Sequence, residues 1–219
     1  MSSGVSRWWN EDRMRWYERA SELSCFHDHL AEMIENDIKD GITAEAGCGL
    51  GYLSEKLYRS GCNITAYDID STVLERARER SGLNIFRECD CYDIKDPCDY
   101  LIALFFGRIT EGNNLEKLMR CVRRRLIYII GGHSARHGTD DNVKDFLESR
   151  NINYSRSSID LDFSQPLIDK ADADRFLSEY YSGKEKEEKK KRIRPYGQYG
   201  YDYILDNPKK MTIYRIEKE

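Results

Sequence analysis

Ile42-Thr43-Ala44-Glu45-Ala46-Gly47-Cys48-Gly49-Leu50-Gly51-Tyr52-Leu53 is the stretch that decides the fold. A short apolar run carries an acidic residue near its end, continues through three alternate glycines and opens into a helix-forming segment. Such a turn needs glycine where φ is positive or where a ligand must contact the backbone. The stretch therefore predicts a strand, a turn with an exposed backbone surface, and a helix.

The spacing of the glycines argues against two other nucleotide-binding turns. A dinucleotide-binding G-x-G-x-x-G turn would need glycine at position 52, which is Tyr52. A phosphate-binding P-loop would need Lys followed by Ser or Thr after its last glycine, but Gly51 is followed by Tyr52-Leu53. On this motif alone, a glycine-rich turn without a ligand stays open.

Three further strands are predicted downstream. Residues 63–67 form an apolar run that ends at Asp68, where an acidic side chain can accept both hydroxyls of a ribose. Residues 83–87 lead to Asp90 and Cys91, and residues 100–106 are apolar throughout, as in a central parallel strand that is buried on both faces.

These features resemble motif I, E/D-x-G-x-G-x-G, and the following strands of the class I S-adenosylmethionine (SAM)-dependent methyltransferases, over roughly residues 40–135. The resemblance implies an α/β fold: a three-layer, doubly wound (Rossmann-like) sheet of seven mostly parallel strands, the last one antiparallel. It implies S-adenosyl-L-methionine as cofactor, with Asp68 on the ribose and Asp90 on the adenine amino group. The implied cofactor-binding residues are Glu45, Gly47, Cys48, Gly49, Gly51, Asp68, Ile69, Asp90, Cys91 and Leu104.

Length and charge favour a single domain in the cytoplasm. The 219 residues divide into an N-terminal helix or lid (1–38), a cofactor-binding core (40–163), an insertion on the substrate side (164–210) and a last strand (211–219). The net charge of −4 provides no field that attracts nucleic acid or anionic membranes. No apolar run reaches the ~18 residues of a membrane span, and the N-terminus lacks the apolar segment of a signal peptide.

Seven cysteines indicate a reducing compartment rather than a disulfide framework. Cys89, Cys91 and Cys98 are close in sequence, but their spacing is not that of a zinc module and no histidine is near them. We therefore expect structural cysteines and no metal site.

All three tryptophans, Trp8, Trp9 and Trp16, lie in the first 16 residues. From Trp16 to Met33, apolar residues follow steps of three and four, which predicts one amphipathic helix. Two interpretations stay open: the tryptophans cover the open end of the sheet by packing, or they belong to a lid that closes over the cofactor and lines the substrate pocket.

The insertion contains a predicted amphipathic helix at 171–181 and a charged run at 184–192, expected as a solvated helix or a surface loop. Four tyrosines among glycines follow at 196–203. This segment is expected as a loop, which either packs its own rings or uses Tyr196 and Tyr199 to line a substrate pocket.

His133 is the candidate catalytic residue. It follows Gly131-Gly132 at the end of the predicted fifth strand, on the ligand-binding edge, and histidine suits general-base catalysis. A base is needed only if the acceptor arrives protonated. His137, four residues later, is a candidate substrate contact, whereas a capping role for His133 stays open.

A small molecule is the expected methyl acceptor. The D/N-P-P-Y/F sequence of methyltransferases acting on adenine or glutamine is absent, because Leu104-Phe105-Phe106-Gly107 stands there. The alternatives are a methyltransferase for protein or tRNA that docks through residues 189–194, and a non-catalytic SAM-binding protein. We expect no membrane or nucleic-acid partner, and a homodimer is compatible with the sequence.

Overall fold

The computed structural model describes residues 8–38, 40–131 and 139–218. They divide into two compact units. The small unit comprises the chain up to Phe26 together with Asp162–Pro208, and the sheet unit comprises His27–Leu161 and the chain from Lys209 onward.

The elements alternate between helix and strand over the sheet unit. The helices are α1 Glu11–Ser24, α2 Phe26–Ile38, α3 Tyr52–Arg59, α4 Ser71–Ser81, α5 Asn114–Met119, α6 Asp140–Ser149, α7 Lys170–Tyr180 and α8 Gly183–Lys191. The strands are β1 Ile42–Ala46, β2 Asn63–Asp68, β3 Phe86–Glu88, β4 Cys98–Leu104, β5 Val122–Gly131, β6 Tyr154–Asp162, β7 Gln165–Leu167, β8 Ile193–Gln198, β9 Tyr201–Leu205 and β10 Pro208–Glu217.

Within the described residues, the sheet unit contains one seven-stranded sheet in the order β3-β2-β1-β4-β5-β10-β6. β1 pairs in parallel with β2 and β4, β2 with β3, and β4 with β5, whereas β10 runs antiparallel to β5. The predicted fold class is thereby confirmed. The central strands read as continuous apolar runs because both of their faces are covered: Leu101–Ala103 and Leu126–Ile130 are fully buried.

Alternation along β1 divides its side chains between the two faces of the sheet. Ala44 and Ala46 belong to one apolar cluster with Leu115 of α5 and Val143 of α6. Glu45 points to the other face, where Ser54 of α3 donates a hydrogen bond to its carboxylate. Helices thus cover both faces, which gives the predicted three layers.

The small unit combines the N-terminal helix with the insertion. α1, α7 and α8 accompany an antiparallel sheet in the order β7-β9-β8. Its core is built around Trp16, whose ring contacts Phe176 edge to face at 5.2 Å between centroids, beside Leu167 and Leu205. Two segments that are distant in sequence therefore share one core.

Two local predictions are wrong. The single helix expected from Trp16 to Met33 is interrupted at Cys25, which adopts a left-handed conformation (φ +51°) between α1 and α2. The tyrosine segment expected as a loop is the β8–β9 hairpin, because Tyr199 and Gly200 form a tight turn while Ile193 and Tyr203 pack against the core of the small unit. For the charged run, the solvated helix is confirmed: α8 has no buried residue.

Asp172 of α7 is the polar centre of the small unit. Its carboxylate accepts hydrogen bonds from the Trp16 indole N–H (3.0 Å), the Arg19 guanidinium (2.8 Å) and the Ile168 amide (3.0 Å). Burial alone would raise the pKa of Asp172, but these donors outweigh burial and hold the pKa below its ordinary value. The carboxylate is therefore ionised at neutral pH and joins α1 to α7.

We expect Asp172→Ala to destabilise the small unit by about 2–4 kcal/mol, because it leaves buried donors of Trp16 and Arg19 without an acceptor. Urea unfolding followed by tryptophan fluorescence measures this unit directly, since all three tryptophans precede residue 17. The control is Asp174→Ala, which removes an exposed carboxylate two residues further along α7 and should change stability by less than about 0.5 kcal/mol. Equal effects of the two variants would contradict this role of Asp172.

Candidate cofactor site

The site lies where the order of the strands reverses. β1 and β4 are neighbours in the sheet, yet the chain leaves them towards opposite sides, and ligands of open α/β sheets bind at the carboxyl ends of such strands. The segments that follow β1, β2, β3 and β4 meet at this edge: Gly47–Gly51, Asp68–Asp70, Cys89–Cys91 and Leu104–Gly107. The predicted cofactor residues belong to these segments and to the ends of the strands.

Three glycines with positive φ form the turn after β1. Gly47, Gly49 and Gly51 have φ of +71°, +52° and +71°, a region that other L-residues rarely occupy. The amides of Gly47 and Cys48 both donate to the Tyr67 carbonyl oxygen of β2, at 2.8 and 2.9 Å. The turn is therefore fixed to the neighbouring strand through its backbone.

Aromatic rings occupy the space that side chains at two of these glycines would need. A Cβ at position 47 would lie 2.3 Å from the ring of Phe106, and a Cβ at position 51 would lie 2.3 Å from the ring of Phe86. Glycine is thus required at Gly47 and Gly51 for packing as well as for conformation.

Asp68 binds the same turn through its side chain. Its Oδ2 accepts the Gly49 amide at 2.8 Å, and its Oδ1 accepts the Asp70 amide at 3.0 Å. Burial raises the pKa of Asp68, and hydrogen bonds from the amides of Asp70, Gly49 and Ile69 offset that effect only in part. An ionised carboxylate has about four lone-pair positions, so it keeps acceptor capacity for a further donor such as a hydroxyl group.

Glu45 is buried beneath the turn, at the end of β1. Ser54 donates a hydrogen bond to its Oε2. Burial raises the pKa of Glu45 to about 7, the Ser54 bond opposes this, and the nearby Asp68 carboxylate adds to the rise. Glu45 therefore changes charge close to neutral pH.

This titration makes a prediction about stability. Because the folded pKa of about 7 lies above the ordinary 4.5, the folded state binds more protons than the unfolded state between these values. The free energy of unfolding should then fall as pH rises from 5 to 8, by up to about 3 kcal/mol. Glu45→Gln should flatten this dependence in urea unfolding, whereas Glu75→Gln, an exposed site on α4, should retain it. A parallel pH dependence in the two variants would contradict the shift.

Asp90 and Cys91 follow β3 at the site. The exposed Asp90 carboxylate accepts the Tyr92 amide at 3.0 Å and caps the short 3-10 turn Cys91–Asp93. The buried Cys91 sulfur accepts the Gly47 amide at 3.1 Å. Burial raises the pKa values of Cys91 and Cys48, so both are thiols at neutral pH and neither is an activated nucleophile.

The two apolar residues predicted for the site differ in exposure. Ile69, directly after Asp68, has an exposed side chain, whereas Leu104 at the end of β4 is buried.

Sequence reasoning missed Phe106, which packs against Gly47 and whose ring centroid lies 5.6 Å from that of Tyr92. It also missed Phe105, a half-buried non-glycine residue with φ +50°. An aromatic pair before a glycine, at the end of a central strand, was the available signal.

The residues predicted for substrate binding and catalysis are not tested by the described part of the sheet unit. His133 and His137 lie outside the described residues. Trp8, Trp9, Trp16, Tyr196 and Tyr199 belong to the small unit. There each ring contacts a neighbouring side chain. Tyr199, at the tip of the hairpin, is nevertheless 78% exposed. Their assignment to substrate binding stays a prediction.

Two further observations concern only the described part of the chain. It contains no group of three or more His, Cys, Asp or Glu side chains arranged to hold a metal ion. None of its helices is long and apolar enough to cross a membrane.

Comparison with known proteins finds a methyltransferase domain in part of the chain. Residues 44–127 match a family model described as a methyltransferase domain. No curated protein sequence matches the chain significantly.

Several solved structures share the fold at low sequence identity. Magnesium protoporphyrin IX methyltransferase from Synechocystis PCC 6803, solved with bound SAM, has a TM-score of 0.55 at 14% identity, covering 97% of this chain and 86% of that one. A possible histamine N-methyltransferase from Thermotoga maritima has 0.54 at 12%, covering 95% of both. The YcgJ protein from Bacillus subtilis has 0.57 at 11%, covering 88% and 100%.

The matched domain, the glycine turn and the sheet order lead to the same assignment. Residues 44–127 match a methyltransferase domain, and the described residues have the fold of class I SAM-dependent methyltransferases, among them a structure with bound SAM and one with bound S-adenosylhomocysteine. The sequence predictions of family and cofactor are confirmed.

The packing of the glycine turn can be tested separately from its conformation. Gly82 ends α4 with φ +71°, the same as Gly47, but a Cβ there would have nothing within 4 Å. Gly82→Ala should therefore lower the free energy of unfolding by about 1–2 kcal/mol, through the left-handed backbone alone. Gly47→Ala should lower it by about 1–3 kcal/mol more, because its Cβ also displaces Phe106.

A double-mutant cycle isolates that contact. In a Phe106→Ala background, the cost of Gly47→Ala in urea unfolding should drop to that of Gly82→Ala. A cost that is the same with and without the Phe106 ring would show that packing against Phe106 does not explain the glycine.

Proposed function

We propose that this protein transfers the methyl group of SAM to a small-molecule acceptor and releases S-adenosylhomocysteine. The observation that carries the proposal is the hydrogen bond from the Gly49 amide to Asp68. It joins a glycine-rich turn to a carboxylate that keeps acceptor capacity, at the switch point of the sheet. This donor and acceptor set fits a nucleoside with a ribose diol.

Different residues of the site would bind different parts of the cofactor. Asp68 would accept the ribose hydroxyls, Asp90 the adenine amino group, and the backbone of Gly47–Gly51 would lie against the rest of the molecule. SAM supplies a methyl group that is already activated by its sulfonium. The chain's own contribution is to orient the acceptor in line with that methyl group and to exclude water.

Thiol groups are poor candidates for covalent catalysis in this arrangement. Burial keeps Cys48 and Cys91 protonated at neutral pH, and Cys91 already accepts the Gly47 amide. Direct transfer to the acceptor is therefore the mechanism we propose, with His133 as the candidate base for an acceptor that arrives protonated.

The size of the acceptor is inferred from charge and from the segment after β4. A chain of net charge −4 has no overall positive field to attract phosphates. Leu104–Gly107 provides no proline-containing motif for a planar amide. One fold neighbour is named as a magnesium protoporphyrin IX methyltransferase and another as a possible histamine N-methyltransferase, and both names refer to small molecules. The seven free cysteines support a cytoplasmic location.

Calorimetry with S-adenosylhomocysteine tests the cofactor site. Asp68→Ala removes two charge-assisted acceptor positions and should weaken binding at least about tenfold. Asp70→Ala is the matched control: it removes the adjacent carboxylate, which caps α4 by accepting the Thr72 amide, but leaves the Asp70 amide in place for Asp68. It should lower stability with little change in affinity. If the wild-type protein does not bind S-adenosylhomocysteine, the proposed function is wrong.

The acceptor is tested by turnover. Release of S-adenosylhomocysteine should be measured with panels of small amines, hydroxyl compounds and carboxylates, and with tRNA and unfolded protein. Turnover with a small molecule alone supports the proposal. Turnover with tRNA or protein alone would contradict the proposed acceptor class while leaving the cofactor site intact.

A further inference from the structure

Arg80 contacts the glycine turn from outside. It lies in the last turn of α4, and its Nη2 donates to the Leu50 carbonyl oxygen at 3.1 Å. Its Nη1 donates to the carboxylate of Glu55 on α3, and its guanidinium lies 3.7 Å from the ring centroid of Tyr52. Arg80 thus contacts the glycine turn at Leu50 and the start of α3 at Tyr52 and Glu55.

Tyr52 is held by a second ring. Its ring stacks on His27 with centroids 5.3 Å apart and planes 25° apart. Burial, together with the nearby charges of Arg80 and Lys56, lowers the pKa of His27 to about 3. The imidazole is therefore neutral at physiological pH, so it packs beside a cation without repulsion.

The hydrogen bond from Arg80 to the Leu50 carbonyl oxygen restricts the glycine turn. Leu50 separates Gly49 from Gly51, and both glycines have conformational freedom that the turn must lose. Fixing this carbonyl restricts the peptide group that joins Leu50 to Gly51. A turn already held in its binding conformation loses less entropy when a ligand binds.

We propose that Arg80 is a positioning residue for the cofactor: it preorganises the glycine turn through the Leu50 carbonyl and the Tyr52 ring without touching the cofactor itself. This inference rests on the proposed function, since it assumes that the turn binds SAM. The pair with Glu55 orients the guanidinium so that its Nη2 reaches the Leu50 carbonyl oxygen.

Arg59 provides a closely matched control. It also pairs with Glu55, at 2.9 Å, and it also donates to a backbone carbonyl, that of Ser81, at 3.1 Å. Neither contact involves the glycine turn. A difference between variants at positions 80 and 59 therefore reports on the turn and not on the shared ion pair.

The experiment compares Arg80→Lys with Arg59→Lys in the full chain. Lysine keeps the charge but loses the planar fork that serves Glu55 and Leu50 together. Arg80→Lys should weaken S-adenosylhomocysteine binding by about tenfold, equivalent to loss of one charge-assisted hydrogen bond. Arg59→Lys should bind as the wild type does. In the absence of ligand, amide exchange at Gly49 and Gly51 should accelerate in Arg80→Lys only.

The outcomes separate this inference from the proposed function. Failure of the wild-type protein to bind S-adenosylhomocysteine would overturn the proposed function. Normal binding by the wild type and by Arg80→Lys would overturn the role of Arg80 alone. If Arg80→Lys does not fold, Tyr52→Leu replaces it: removing the ring under the guanidinium should weaken binding, and unchanged affinity would overturn the inference.

Discussion

The hydrogen bond between the Gly49 amide and the Asp68 carboxylate is the interaction on which this site depends. The chain must leave β1, expose its backbone at the switch point and enter α3 within a few residues. It achieves this with three left-handed glycines, which gain no side-chain packing of their own. Order in the turn is therefore supplied by neighbours: Asp68 and the Tyr67 carbonyl through hydrogen bonds, and Phe106 through packing.

The sheet unit could be predicted because its signals are local. Apolar runs bounded by glycine and acidic residues mark the strands, and β2, Asn63–Asp68, covers the run predicted at 63–67. Glu45 and Asp68 could be placed for the same reason: a residue at the end of a parallel strand lies at the ligand-binding edge. The topology brings these ends together without any contact having to be known in advance.

The features that could not be predicted depend on contacts between residues far apart in sequence. Trp16 and Asp172 are 156 positions apart, so no local pattern shows that α1 and the insertion share a core. The contacts of Phe106 with Gly47 and of Arg80 with Leu50 are of the same kind. In the β8–β9 hairpin, the glycines and proline indicated a loop, but packing of Ile193 and Tyr203 stabilises the strands.

The low identity of the fold neighbours shows which of these features define the family. Proteins that share 11–14% of their residues with this chain keep the same sheet, so the fold does not depend on particular core side chains. A backbone turn with one neighbouring carboxylate requires few particular side chains, and a fold built on it is compatible with many acceptors. The proposed cofactor site therefore depends on the geometry of the turn. The acceptor must be recognised by residues that the turn does not constrain.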